Sequence, residues 1–139
     1  MAYIEVQQAT RQFKNGEQVT VANRDISFEV DQGAVVVILG PSGAGKSTLL
    51  NILGGMDSPT SGRVLVDGVD IAQFNSRQLT TYRRQAVGFV FQFYNLDPNL
   101  TARENVELAS QIPTDARDVD DTLASVGLTH RADKLRAPL

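Results

Sequence analysis

Gly40, Pro41, Ser42, Gly43, Ala44, Gly45, Lys46 and Ser47 fit the pattern G-x-x-x-x-G-K-[ST] at every fixed position. No other stretch of the chain constrains its fold as much, because each fixed position has a chemical reason. Glycines let the backbone turn tightly, so that N–H groups converge on phosphate oxygens without side chains in the way. The lysine ammonium then meets the β- and γ-phosphates of a nucleotide, and the hydroxyl after it is offered to Mg2+. A helix that opens at this point adds its positive dipole end to the same anion. The pattern therefore requires a strand before it and a helix after it. Residues 34–39 (AVVVIL) are apolar without alternation, as in a strand covered on both faces. Residues 47–53 read as a helix stopped by Gly54 and Gly55. A glycine-rich turn that merely joins a strand to a helix is the plain alternative. The context favours phosphate binding, with Thr48 at the end of the cradle.

The remaining chain supplies short strands first and helices later. Tyr3, Ile4 and Val6 read as a short strand, and Asn15-Gly16 as a hairpin turn before Val19 and Val21. Ile26, Phe28 and Val30 alternate with Ser27 and Glu29, the period of a half-buried strand. Residues 63–67 form a further strand that ends in an Asp67-Gly68 turn. Ser76 is positioned to cap a helix through Arg84, and residues 87–91 (VGFVF) read as another apolar strand. Thr101 and Glu104 have the spacing of a capping box, which opens a helix to about Gln111. A last helix places Val119, Leu123 and Val126 on one face and ends at Gly127. No repeat and no low-complexity linker interrupts this order.

Length and composition narrow the rest. A chain of 139 residues is one domain by the usual prior. Thirteen basic against sixteen acidic side chains leave a net charge of −3, which gives no basic field for nucleic acid. The absence of cysteine excludes a disulfide scaffold, a cysteine zinc site and a thiol nucleophile. The apolar run of residues 34–39 is far shorter than the about 20 residues needed to span a bilayer. The N-terminus has neither a basic nor an apolar leader region. The expectation is a soluble, cytoplasmic domain.

Transport ATPases, small-molecule kinases and GTPases all use this P-loop cradle, and residues beyond it separate them. Residues 53–62 (LGGMDSPTSG), 66–71 (VDGVDI), 82–84 (YRR), 88–92 (GFVFQ), 95–96 (NL) and 100–106 (LTARENV) resemble the ATP-binding subunit of ABC transporters. The resemblance is closest to the lipoprotein-releasing and macrolide-export type. A kinase would need lid arginines in the expected context and an acceptor-pocket motif, and neither is found.

The resemblance implies an α/β fold, a P-loop NTPase of the ABC ATPase type. It implies an antiparallel β-subdomain (residues 1–33 and 61–75), a P-loop core (34–60 and 85–92) and a Q-loop with the start of a helical subdomain (93–139). The core sheet is expected to be incomplete. ATP and Mg2+ are the implied cofactors. Carried over by position, Phe13 stacks on adenine, residues 40–48 hold the phosphates, and Ser47 and Gln92 serve Mg2+. Phe93, Tyr94, Leu96 and Leu100 face the transmembrane subunit, and Asp97 stands where an apolar residue is usual. A second ATP-binding subunit completes the implied assembly, peripheral on the inner face of the membrane. The plain readings are a hairpin residue for Phe13, a strand-end residue for Gln92 and a self-packed loop for residues 93–100.

Other family motifs are not found in the chain. The signature helix is expected beyond Leu139, with Arg131, Ala132, Asp133 and Pro138 as its lead-in. There is no Walker B strand with its Asp and catalytic Glu, no D-loop and no switch histidine. Asp67 ends an apolar run, but Gly68 follows where a carboxylate should stand, and His130 precedes the place of the signature. The expectation is the N-terminal part of such a subunit, with no catalytic residue of its own: it binds ATP and does not hydrolyse it alone. The alternative is a non-catalytic nucleotide-binding or docking module. Either way, residues 34–39 and 87–91 are expected to leave apolar faces uncovered.

Overall fold

A computed structural model describes residues 1–93 and 95–136, which divide into two units, Met1–Arg83 and Arg84–Leu139. A long antiparallel hairpin forms the base of the first. β1 (Ala2–Asn15) and β2 (Gln18–Asp31) close with Asn15 opposite Gln18, so the turn falls at Gly16 as the sequence indicates. β1 is much longer than the strand legible at Tyr3, Ile4 and Val6. Its register shifts between Val6 and Ala9 and again around Arg11, which breaks the alternation that identifies a strand. Gln8 lies within the shift between Val6 and Ala9, with φ 49°, and donates its N–H to Ser27 Oγ.

β3 (Ser61–Val66) pairs with the other edge of β1, and β4 (Val69–Asp70) completes an antiparallel sheet of order β2-β1-β3-β4. Asp67 and Gly68 both have positive φ, the two-residue turn that matches strand twist. Asp67 is thus the tip of a hairpin. One face of the sheet buries Val6, Ala9, Val64, Val66 and Ile71 together with Ile52. Ile52 comes from α1 (Lys46–Leu53), so the sheet's core holds the helix that follows the glycine-rich loop. α2 (Ser76–Ala86) starts after Asn75, and its first residue is Ser76. The cap is Asn75, whose Oδ1 accepts from Gln78 N–H while Gln78 Oε1 accepts from Asn75 N–H. This corrects the expectation that Ser76 caps.

Two expected strands do not form. Residues 34–39 and 87–91 make no ladder among the described residues, and Val35, Val36, Val37, Leu39, Val90 and Phe91 are exposed. Apolar side chains mark what a segment would bury, but a strand exists only through backbone bonds to a neighbour, and among the described residues no ladder includes these segments.

In the second unit, α3 (Ala102–Ser110) carries the capping box read from the sequence, with Thr101 and Glu104 bonding reciprocally. α4 (Val119–Ser125) buries Leu123, while Val126 lies past its end and is exposed. Thr101 pairs with Leu135 in an isolated antiparallel bridge. Arg103 joins Asp120 and Asp133, whose carboxylates raise its pKa, the Asp120 bond most.

Candidate functional site

The loop before α1 carries the candidate site. Gly45 takes φ 87°, a left-handed conformation, and stands at the N-cap of α1. A Cβ there would collide with the carbonyl oxygen of Ala22 and approach Asn23 Nδ2 to 2.7 Å, so only glycine fits. Asn23 on β2 is 6% exposed, and its Nδ2 donates to the Gly45 carbonyl at 3.1 Å. Leu49 N–H, the first bond of the helix, reaches the same carbonyl at 3.0 Å. The sheet therefore fixes the last turn of the loop, and that turn launches the helix.

This geometry leaves donors unspent. Among the described residues, the backbone N–H groups of Gly45, Lys46, Ser47 and Thr48 have no acceptor within the protein, as at any uncapped helix start. They emerge where the α1 dipole places a partial positive charge of about half a unit. Lys46 folds back over the loop, its Nζ 2.5 Å from the Gly40 carbonyl and 2.7 Å from that of Pro41. Two of its three donors are thus engaged, and the ammonium sits on the loop itself. Ala44 N–H bonds to the Pro41 carbonyl at 3.2 Å and tightens the loop, while Ser42, Gly43 and Ser47 are exposed. Free N–H donors, an ammonium and a hydroxyl on one exposed turn suit a polyphosphate with its cation.

Phe13 lies on β1 opposite Thr20, 42% exposed, and the Arg11 guanidinium covers its ring at 4.5 Å from the centroid. Gln92 and Phe93 belong to the second unit, where both are exposed. Leu96 is exposed, Leu100 is half-buried, and Tyr94 lies outside the described residues. The Asp97–Leu100 stretch is held by Asn105: its Nδ2 donates to the carbonyls of Asp97 and Leu100, and its Oδ1 accepts from Asp97 N–H. His130 is exposed in a single 3-10 turn. In the structure residues 40–48 form one continuous loop and helix start in the first unit. Asn23 contacts that loop, and Arg11 pairs with Asp57 beside Phe13; sequence reasoning missed all three. Only the register of β1 on β2 reveals the first two, and no local motif marks any of them.

Comparison with known proteins agrees with this picture. A family model described as ABC transporter matches residues 23–138. The chain is 40% identical over 143 aligned positions to the lipoprotein-releasing system ATP-binding protein LolD of Shewanella frigidimarina, covering 99% of this chain and 60% of that protein. It is 47% identical over 105 residues to the macrolide export ATP-binding/permease protein MacB of Brucella abortus, covering 76% of this chain and 16% of that one. Among solved structures it resembles a dimeric, post-hydrolysis state of the ATP-binding cassette MJ0796 bound to ADP and Pi, with a TM-score of 0.85 and 35% identity. That match covers 98% of this chain and 62% of the cassette, so the chain spans less than two thirds of each of these proteins. With residues 23–138 inside the family model and its fold matching a solved cassette of 35% identity, the chain belongs to the ATP-binding family of ABC transporters.

Proposed function

We propose that the chain binds Mg-ATP through residues 40–48 and serves as part of the ATP-binding subunit that energises a membrane partner. The observation that carries this reading is the set of free N–H groups at residues 45–48 beside the Lys46 ammonium. Phosphate oxygens take those donors, and Lys46 exchanges its loop carbonyls for β- and γ-phosphate oxygens, a charge-assisted contact. Ser47 would offer its hydroxyl oxygen to Mg2+, an ion that favours hard oxygen ligands and keeps several waters and that would offset phosphate charge. Gln92 is the family's Q-loop position. Phe13 offers its exposed ring to adenine.

The division into β-subdomain, P-loop core and Q-loop segment follows the family layout, with residues 93–100 turned to the transmembrane subunit. Two ATP-binding subunits pair in the working assembly on the cytoplasmic face of the membrane. The dimeric state of the MJ0796 cassette supports that pairing. No helix among the described residues is long and apolar enough to cross a membrane.

Calorimetric titration of the protein, as its gene encodes it, with Mg-ATP tests the reading. Lys46→Ala removes a charge-assisted bond and should weaken binding about 10- to 100-fold. Unchanged affinity in a folded Lys46→Ala protein would contradict the assignment.

A further inference from the structure

We propose that Arg11, anchored by Asp57, is a positioning residue for the nucleotide base, holding the Phe13 ring in the posture needed for stacking. The inference rests on the reading of Phe13 and the cradle given above. The Arg11 guanidinium lies 4.5 Å from the Phe13 centroid, within cation–π range. Its Nε is 2.8 Å from Asp57 Oδ2, and the two side chains are only 25% and 29% exposed. Arg11 therefore cannot leave the ring without breaking a partly shielded ion pair.

Asp57 is itself fixed. Its Oδ1 accepts from Ser58 N–H at 2.8 Å, and its own N–H bonds to the Asn51 carbonyl in α1 at 3.2 Å. The ring is thus tied, through Arg11 and Asp57, to the far end of the helix whose first turn is the cradle. The hairpin register makes a second tie. Arg11 stands opposite Asn23, which bonds to Gly45, and Phe13 lies two residues further along β1. At the rise of a strand that is about 7 Å.

A phenylalanine on an open hairpin samples several rotamers, and a base that stacks on it must first immobilise it. Ordering such a side chain on binding opposes association. Arg11 restricts the ring beforehand, so the base meets a preset surface. A guanidinium is planar and lies flat on an aromatic face, whereas an ammonium is a compact, strongly hydrated point charge, so lysine is a poor substitute.

The test compares Mg-ATP with Mg-tripolyphosphate, which engages the cradle but carries no base, by calorimetry on the protein as its gene encodes it. Arg11→Met keeps the apolar stem and removes the guanidinium. Asp57→Asn keeps the volume and removes the anchoring charge. Both variants should bind ATP about three- to tenfold more weakly, with tripolyphosphate affinity unchanged and only partial rescue by Arg11→Lys. Unchanged ATP affinity in both variants overturns the proposal, as does an equal loss for both ligands, which would mark general support of the fold. A wild-type protein that binds neither ligand defeats the cradle reading itself. One that binds ATP no better than tripolyphosphate defeats the role of Phe13, and this proposal with it.

Discussion

At the scale of single residues, Tyr82 shows how a side chain outside the cradle keeps α1 in place. Its hydroxyl donates to the Leu53 carbonyl at 2.8 Å, at the end of the helix, and its ring packs on the sheet's core edge-to-face with Phe74. A Cβ on Gly55 would come within 2.6 Å of that ring, so the turn after α1 needs glycine to let Tyr82 in. Burial, and to a lesser degree the neighbouring Tyr3, raise the Tyr82 pKa above its ordinary value of 10.0. The sign follows directly: the folded protein holds the phenol proton more tightly than the unfolded chain. The contribution is complete below about pH 10 and is lost as pH rises through the folded-state value. Tyr82→Phe should cost about 1 kcal/mol near neutral pH, the net worth of one hydrogen bond. The difference between wild type and variant should then shrink above about pH 10, where the phenol ionises. Urea unfolding of both proteins across this range measures it, and a pH-independent difference would refute the linkage.

At the scale of elements, what the sequence discloses depends on how far apart the interacting groups lie. The capping box of α3 joins Thr101 to Glu104 within four residues, so local chemistry suffices to locate it. The box at Asn75 and Gln78 obeys the same spacing and is equally local. The cradle is equally local, since residues 40–48 bond largely to one another. Arg11, Asn23 and Asp57 were hidden because their partners are set by the shifted register of β1 on β2 and by the exit of α1. Apolar runs at residues 34–39 and 87–91 announced a wish for burial without naming a partner, and so misled as strands. The α3 cap also supports a prediction. Thr101→Ala leaves Glu104 N–H without its acceptor and should destabilise the second unit by about 1 kcal/mol. Amide exchange would show it as faster opening of α3, with the first unit's amides unaffected; uniform acceleration across both units would contradict a local role.

At the scale of the whole molecule, the balance between apolar surface and charge governs behaviour in solution. Val35, Val37 and Leu39 are 94%, 72% and 86% exposed, and Val36 between them is also open, so both sides of this segment present hydrocarbon to water. Apolar side chains and backbone N–H and C=O groups left outside any ladder are a template for pairing with another chain. Opposing charge is weak, because the net charge is only −3 over 139 residues. The sheet of the first unit does not relieve this, since its buried face is filled by α1 and by its own side chains. The 139-residue chain should therefore self-associate as its concentration rises. Sulfate should strengthen the effect, because its exclusion from protein surface favours apolar burial. Replacing Val35 and Val37 together by threonine keeps the β-branched shape and removes two exposed methyl groups, and it should shift association to higher concentration while leaving the Lys46 cradle intact. Sedimentation velocity over a wide concentration range, with and without sulfate, decides the matter. A wild-type chain that stays monomeric throughout, or a double variant that associates as readily as wild type, would show that these valines do not drive the contact.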